Sequence, residues 1–259
     1  MFTGQQNHWI PDEPIETFFF DFDGTLSLIE GIDELARMNG VGEQVRDITQ
    51  RCMSTTGLSL SEYKERLEYV KPTTSQQEQL ATMYKEHQTV GALETIQLLR
   101  SLGKNIYIIS AGIKSTLLPL AKDLGIPPEH VFAVDVYNDN DGNYLGFNEQ
   151  SYLVQPEGKN RQVVEILKNN ERSLLLGDGY SDWEARMVVS RFVGFSGLSP
   201  KKWVRDNSKF YIANTNIYPI INLGLTHEEQ MNLMSCSFHM TYFEQGLSDI
   251  NNGLVFIKE

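Results

Sequence analysis

Residues 17–26, TFFFDFDGTL, constrain the fold of this chain more than any other stretch. The aromatic run is typical of a buried strand, and the Gly-Thr pair predicts its end. Asp21 and Asp23 are then expected at the carboxyl end of the strand, where open α/β sheets bind their ligands. Crowded carboxylates disfavour each other's ionisation, and Mg²⁺ relieves this because it prefers hard oxygen ligands. A carboxylate here can also attack phosphorus, whereas the simplest alternative is a turn capped by its own side chains.

Residues 29–90 are expected to form an all-helical insert, because apolar residues recur there at helical spacing and no strand-like alternation is present. Ser59 and Glu62 have the form of a capping box, which predicts the start of a third helix in this segment. Pro72 ends that helix, and the pattern of residues 80–87 predicts another.

From residue 91 onward, predicted strands alternate with amphipathic helices, which is typical of a parallel sheet with helices on both faces. The predicted strands are residues 105–110, 131–136, 173–177, 191–195 and 210–213, and residues 137–147 suggest a hairpin. A helix is predicted over residues 181–189. The fold class is therefore α/β. Residues 1–28 and 91–259 are expected to form a Rossmann-like core, with residues 29–90 inserted as a helical cap. Residues 215–259 are a C-terminal extension that covers a sheet edge or forms an oligomer contact.

Three further segments place polar side chains at the same end of the predicted sheet. Ser110 closes a predicted strand, and its hydroxyl together with the free N–H groups of a turn suits a phosphate. Lys159 opens a predicted helix and can neutralise phosphate oxygens, although many helical lysines are simply solvated. Asp178 and Asp182 follow another strand and form a second carboxylate pair suited to Mg²⁺, although Asp182 can also cap the next helix. Because these side chains are all expected at the same end of the sheet, we predict that they form a single site.

These four segments together resemble the motifs of the haloacid dehalogenase superfamily of phosphatases, over roughly residues 15–215. The resemblance rests on Asp21-Phe22-Asp23-Gly24-Thr25, Ser110, Lys159 and Gly177-Asp178-Gly179-Tyr180-Ser181-Asp182. It implies that Asp21 is the nucleophile and Asp23 the general acid and base. It also implies a Mg²⁺ cofactor held by Asp21, the backbone carbonyl of Asp23 and Asp178, with Asp182 orienting neighbouring groups. The phosphate-binding residues that it implies are Thr25, Ser110, Ala111, Gly112, Lys159 and Ser181.

Part of the helical insert resembles the cap of phosphoserine phosphatases, in which a Glu and an Arg hold the amino-acid part of the substrate. The matching residues are Glu30 and Arg66, with Met53 lining the pocket. A Glu can bind an ammonium group, and an Arg can hold a carboxylate through two hydrogen bonds. The alternatives are a solvated Glu30 and an Arg66 that pairs with Glu62 one helical turn away.

The resemblance implies hydrolysis of O-phosphoserine, but the chain departs from the family at Ala111, where a Gly is usual, and at residues 134–135. Another small phosphomonoester is therefore an alternative substrate. A phosphotransferase, a protein phosphatase and a regulatory protein that binds a phosphorylated metabolite are further alternatives. The retained acidic residues and lysine disfavour the regulatory protein, and a helical cap disfavours large protein substrates.

Composition narrows the remaining function classes. A net charge of −12 argues against a general nucleic-acid binder, and the two cysteines form no disulfide framework or zinc motif. Residues 1–16 lack the pattern of a signal peptide, and no apolar run approaches a membrane span. The sequence predicts a cytoplasmic enzyme that acts on a small phosphorylated metabolite, without nucleic-acid or membrane partners, as a monomer or homodimer.

Overall fold

The computed structural model describes residues 8–53, 59–167, 171–233 and 237–258, and within them a seven-stranded sheet forms the centre of the molecule. The strands are β1 (Thr17–Phe20), β2 (Asn105–Ile113), β3 (Val131–Val134), β4 (Val136–Asn138), β5 (Tyr144–Phe147), β6 (Ser173–Gly177), β7 (Arg191–Phe195), β8 (Phe210–Ile212) and β9 (Val255–Ile257). The helices are α1 (Gly31–Met38), α2 (Gly42–Met53), α3 (Leu60–Val70), α4 (Thr74–Glu86), α5 (Ala92–Ser101), α6 (Lys114–Asp123), α7 (Gly158–Ile166), α8 (Tyr180–Glu184), α9 (Lys202–Asn207), α10 (Pro219–Gly224), α11 (His227–Leu233) and α12 (Ser237–Asn251).

The sheet has the strand order β3-β2-β1-β6-β7-β8-β9, and all pairs are parallel except β8 with β9. Phe18, Phe19 and Phe20 of β1 are all 0 % exposed. Successive side chains of a strand point to opposite faces, so both faces of β1 are covered. This confirms the predicted α/β fold.

The C-terminal extension adds β9 to the sheet, antiparallel to β8, and therefore covers an edge. Val255 and Phe256 of β9 pair with Ile212 and Tyr211 of β8. An uncovered β8 would present a row of free backbone groups to other chains, and β9 removes that edge. Of the two alternatives for residues 215–259, the sheet edge is the one that the structure contains.

The insert between β1 and α5 contains helices α1 to α4 and no strand among its described residues 31–53 and 59–86, as predicted. The predicted capping box is present, because Ser59 N–H donates to Glu62 Oε2 at 2.9 Å and the Ser59 hydroxyl accepts from the Glu62 N–H. We call α1 to α4 the helical insert. Its separation as a cap domain with bounds at residues 29 and 90 stays a prediction.

Three predicted boundaries were wrong at the carboxyl edge of the sheet. The strand predicted over residues 131–136 is divided, since β3 ends at Val134 and Val136 begins β4 of the hairpin. The strand β2 continues three residues past Ser110, so residues 110–112 lie in a strand and not in a turn at a helix entrance. Their pairing with β3 is shifted between Ile109 and Ile113, which is the mark of a bulge. The helix predicted over residues 181–189 is α8, which ends at Glu184. The hairpin is confirmed as β4 with β5.

Candidate active site

The acidic cluster of the site is built where β1 and β6 end side by side. Asp21 follows β1, and its N–H donates to the carbonyl of Leu176 in β6 at 2.9 Å, which fixes the backbone at this point. Asp178 follows β6 directly. Oxygen atoms of Asp21, Asp178 and Asp182 lie within 4.8 Å of one another, and all three residues are buried. The structure thus brings Asp21 of the first predicted carboxylate pair together with both residues of the second pair.

Gly24 allows this close approach. Its φ of +70° is in the left-handed region, and a Cβ at this position would lie 2.6 Å from Asp178 Oδ2. Any other residue would therefore push the loop after β1 away from the loop after β6. The Gly of the Asp-x-Asp-Gly-Thr run serves the assembly of the acidic cluster as well as the turn.

Lys159 is the cation at the centre of the cluster. It lies in the first turn of α7, is buried, and places its Nζ 2.7 Å from Asp21 Oδ1 and 2.5 Å from Asp182 Oδ1. Burial lowers the pKa of Lys159, but the carboxylates of Asp182 and Asp21 outweigh it and raise that pKa overall. The alternative of a solvated helical lysine is wrong.

Asp182 caps α8 and belongs to the acidic cluster at the same time. Its Oδ2 accepts from the Gly179 N–H at 3.0 Å, and its Oδ1 accepts from Lys159. Burial and the charge of Asp21 raise the pKa of Asp182 to about 7. Because both oxygens already accept hydrogen bonds, Asp182 is better placed to orient its neighbours than to bind a cation directly.

Asp23 lies beside the cluster and is held by the helical insert. Its Oδ1 accepts from the Gly31 N–H at 2.7 Å and from the Tyr84 hydroxyl at 2.5 Å, while the Ser110 hydroxyl lies 3.4 Å from Oδ2. Burial and the charge of Asp21 raise the pKa of Asp23 to about 6, against the opposing hydrogen bonds. A carboxyl group that changes protonation near neutral pH can both donate and accept a proton.

Lys201 is a side chain of the pocket that the sequence interpretation missed. It immediately precedes α9, and its Nζ lies 2.6 Å from Asp178 Oδ2 and 3.8 Å from Glu30 Oε1. Asp178 and Glu30 raise the pKa of Lys201 although burial alone would lower it. The available signal was its position in the loop that leaves the carboxyl end of β7.

Most of the predicted phosphate-binding residues line one pocket with the acidic cluster. Its walls include Ser110, Ala111, Gly112, Lys159 and Ser181. Thr25 is not among the lining residues, and its buried hydroxyl has no hydrogen-bond partner within the described parts of the chain. The Thr25 carbonyl instead accepts from Thr89. A phosphate role for Thr25 therefore stays a prediction without geometric support.

The helical insert and the segment that leads into it form the rest of the pocket wall. Glu30 and Arg66 line it, together with apolar walls from Ile32, Leu35, Tyr63, Leu67, Leu80 and Tyr84. Glu30 is 48 % exposed yet contacts Lys201, so it is not a freely solvated residue. Burial and the charge of Asp178 raise its pKa. Met53 ends α2, but its side chain lies outside what the structure describes.

The pocket encloses about 180 Å³. Its acidic cluster offers three carboxylates, whose oxygens are the donors that a hard divalent cation requires. Three converging carboxylates with two lysines also retain excess negative charge, which a bound cation would offset. The residues therefore fit a divalent metal at the acidic cluster.

Comparison with known proteins agrees with this fold. A family model described as haloacid dehalogenase-like hydrolase matches residues 18–185. Phosphoserine phosphatase of Homo sapiens is 33 % identical over 198 residues, which cover 75 % of this chain and 88 % of that protein. The chloroplastic phosphoserine phosphatase of Arabidopsis thaliana is 32 % identical, with 76 % of this chain and 68 % of that protein covered.

A solved structure shares the fold. The phosphoserine phosphohydrolase-like protein from Francisella tularensis superposes with a TM-score of 0.68 at 21 % identity, and the match covers 85 % of this chain and 99 % of that one. The chain belongs to the haloacid dehalogenase-like hydrolases. Within the described part of the chain, none of the helices combines the length and apolar character that crossing a bilayer requires.

The raised pKa of Asp23 predicts a pH-dependent stability difference. Asp23 titrates near 3.8 in the unfolded chain and near 6 in the folded protein, so its contribution is complete below pH 3.8 and lost as pH rises through about 6. Asn does not ionise, so the Asp23→Asn variant does not lose stability through this group as pH rises. With EDTA present, we expect the free energy of unfolding of Asp23→Asn relative to wild type to rise by about 1 kcal/mol between pH 5 and pH 8. Urea unfolding at both pH values measures this, and a constant difference would refute the assignment.

Proposed function

We propose that this hydrolase is a Mg²⁺-dependent phosphomonoesterase that converts O-phosphoserine to serine and phosphate through an aspartyl-phosphate on Asp21. The observation that carries the proposal is a single pocket lined both by the acidic cluster with Lys159 and by Glu30 and Arg66 of the segment after β1. Glu30 and Arg66 complement an ammonium and a carboxylate, and the acidic cluster with Lys159 suits a phosphate with its metal. Phosphoserine phosphatases that are about one third identical to this chain support phosphoserine as the substrate.

The dimensions of the pocket also support a small substrate. A cavity of about 180 Å³ accommodates a phosphorylated three-carbon amino acid but not a folded protein surface. Apolar side chains of the helical insert line the same pocket, which limits the access of water to a bound ester. The proposed partner is therefore a small phosphorylated metabolite. We also propose that the enzyme is cytoplasmic.

The proposed reaction has two steps. Asp21 attacks phosphorus in line, and a neutral Asp23 donates its proton to the departing serine oxygen. Asp23, now ionised, then takes a proton from the water that hydrolyses the aspartyl-phosphate. Lys159 lies 2.7 Å from Asp21 Oδ1 and orients the nucleophile, while Ser110 and the backbone N–H groups nearby bind phosphate oxygens.

Mg²⁺ is the proposed metal because it combines carboxylate ligands with substrate phosphate and water. Asp21, Asp178 and the backbone carbonyl of Asp23 would hold it, with Asp182 orienting neighbouring groups from its two hydrogen bonds. When bound, the ion supplies positive charge that offsets the repulsion between the carboxylates and the incoming phosphate.

A related phosphomonoester is the second candidate substrate, and the observation that favours it is at Ala111. Its methyl group lines the pocket, and its carbonyl accepts from the Tyr63 hydroxyl of the helical insert at 2.9 Å. This contact fixes the insert close to the position where the substrate passes. A substrate smaller than phosphoserine would meet less steric resistance from Ala111.

Arg66→Ala tests the proposed recognition of the substrate carboxylate. We expect kcat/KM for O-phospho-L-serine to fall about 100-fold, because a charge-assisted pair of hydrogen bonds is lost. O-phosphoethanolamine has no carboxylate, so its kcat/KM should change less than about 3-fold. Steady-state phosphate release with both esters measures this.

Arg37→Ala is the matched control for Arg66→Ala. Arg37 is an arginine of the same insert, but its side chain is 67 % exposed and pairs with Glu34 on the surface of α1. This variant should keep the wild-type preference between the two esters. Equal losses for both esters in Arg66→Ala would show that Arg66 does not read the carboxylate.

A further inference from the structure

We propose that Tyr84 of the helical insert positions Asp23 for proton transfer to the leaving alcohol, so that the insert takes part in the chemical step as well as in substrate binding. This inference rests on the proposed function, because it assigns a positioning residue to the proton transfer proposed there. Tyr84 itself touches neither the nucleophile Asp21 nor the phosphate-binding lysine in the hydrogen bonds of the described chain.

Tyr84 is held rigidly. It lies in α4, is 1 % exposed, and packs its ring edge-on against Phe22 with the ring centroids 4.8 Å apart. Phe22 stands between Asp21 and Asp23 in the chain, so this contact joins α4 to the catalytic segment itself. From this position the Tyr84 hydroxyl donates to Asp23 Oδ1 at 2.5 Å.

Gly31 completes the arrangement. Its N–H donates to the same Asp23 oxygen at 2.7 Å, and it begins α1, so both donors come from the helical insert. A Cβ at residue 31 would lie only 1.9 Å from the Tyr84 hydroxyl oxygen. Glycine is therefore required at this position if Tyr84 is to reach Asp23.

The two donors determine which oxygen of Asp23 can carry a proton. Oδ1 already accepts two hydrogen bonds, so a proton on Oδ1 would lie against both donors, and the neutral carboxyl group carries its proton on Oδ2. Oδ2 lies 3.4 Å from the Ser110 hydroxyl, on the side of the phosphate-binding segment. The insert thereby presents the proton of Asp23 towards the departing oxygen.

Tyr84→Phe tests this with two substrates whose leaving groups differ. The serine oxygen of O-phospho-L-serine leaves poorly without a proton, whereas the acetate of acetyl phosphate leaves without one. The ratio kcat/KM reports the steps up to transfer onto Asp21, so slow hydrolysis of the intermediate does not affect it. With Mg²⁺ present, we expect kcat/KM to fall about 30-fold for phosphoserine and less than about 3-fold for acetyl phosphate, because a misplaced acid loses part of the roughly 100- to 10,000-fold that a positioned one contributes.

Tyr63→Phe is the matched control. It removes the other tyrosine hydroxyl that joins the insert to the core, which donates to the Ala111 carbonyl and not to Asp23. This variant keeps both hydrogen bonds to Asp23 Oδ1, so the ratio of the two kcat/KM values should change far less than in Tyr84→Phe. Equal losses for the two substrates in Tyr84→Phe, or no loss for either, would overturn the positioning role.

Asp23→Asn separates failure of this inference from failure of the proposed function. Under the proposed mechanism it loses activity on phosphoserine far more than on acetyl phosphate. If it does not distinguish the two substrates, proton donation by Asp23 is wrong. If it distinguishes them and Tyr84→Phe does not, only the role of Tyr84 is wrong.

Discussion

Replacing Asp21 with Asn is expected to abolish turnover, with kcat reduced at least about 1000-fold, because the amide cannot attack phosphorus. The fold should remain, since Asn keeps the shape of the side chain and the N–H bond to Leu176 is a backbone interaction. Phosphate release in the presence of Mg²⁺ measures the loss, and circular dichroism confirms the fold.

A second readout makes the Asp21 result specific to a covalent mechanism. Wild-type protein quenched with acid during turnover of labelled substrate should carry label on Asp21, and Asp21→Asn should carry none. Activity of Asp21→Asn within about tenfold of wild type would contradict nucleophilic attack by this residue. Label on another residue would also contradict it.

Replacing Lys159 with Met is expected to have the second-largest effect, on both stability and activity. Lys159 is buried and contacts two carboxylates, so its removal leaves Asp21 and Asp182 uncompensated in the interior. We expect a loss of roughly 3 kcal/mol in the free energy of unfolding at neutral pH with EDTA present. In the presence of Mg²⁺, kcat should fall at least about 100-fold, because a cation beside the nucleophile is lost.

Lys64→Met is the matched control for Lys159→Met. Lys64 also forms an ion pair, with Glu149 at 2.8 Å, but both side chains are about half exposed. Its loss should leave urea unfolding and phosphate release unchanged within error, since solvent screens such pairs. If Lys159→Met were as stable and active as Lys64→Met, the central role of Lys159 would be wrong.

The residues at strand ends were predictable because the sheet itself imposes their meeting. Asp21 follows β1 and Asp178 follows β6, and parallel neighbours end at the same edge whatever the details of their loops. The aromatic run of β1 and the apolar run of β6 carry the signal for buried strands in their composition. The fold class and the acidic cluster therefore follow from the sequence.

Tyr84 and Lys201 were not predictable as site residues in the same way. Tyr84 reaches Asp23 from 61 residues away, through the packing of α4 against the core, and helical spacing alone marks it only as an apolar-face residue. Lys201 lies in a loop without a local motif, and its contact with Asp178 depends on how that loop folds back onto the end of β6. The contacts of Tyr84 with Asp23 and of Lys201 with Asp178 depend on tertiary packing, which local sequence patterns do not predict.

The strand boundaries also depended on tertiary contacts. Ser110 was expected to end a strand, but pairing through a bulge with β3 carries β2 to Ile113. The short run of β9 gave no indication of its partner, which is β8 in antiparallel orientation. The hydrogen bonds to neighbouring strands determine where a strand ends, so the sequence of one segment does not predict its boundaries.

The central claim is that this pocket hydrolyses O-phospho-L-serine in a Mg²⁺-dependent reaction. The most direct measurement is the initial rate of phosphate release from O-phospho-L-serine and a panel of other small phosphomonoesters, with Mg²⁺ or with EDTA and with Asp21→Asn as the blank. We predict that kcat/KM for phosphoserine is the highest in the panel and that EDTA abolishes the activity. Release that is insensitive to EDTA, or phosphoserine left unhydrolysed while another ester is turned over, would contradict it.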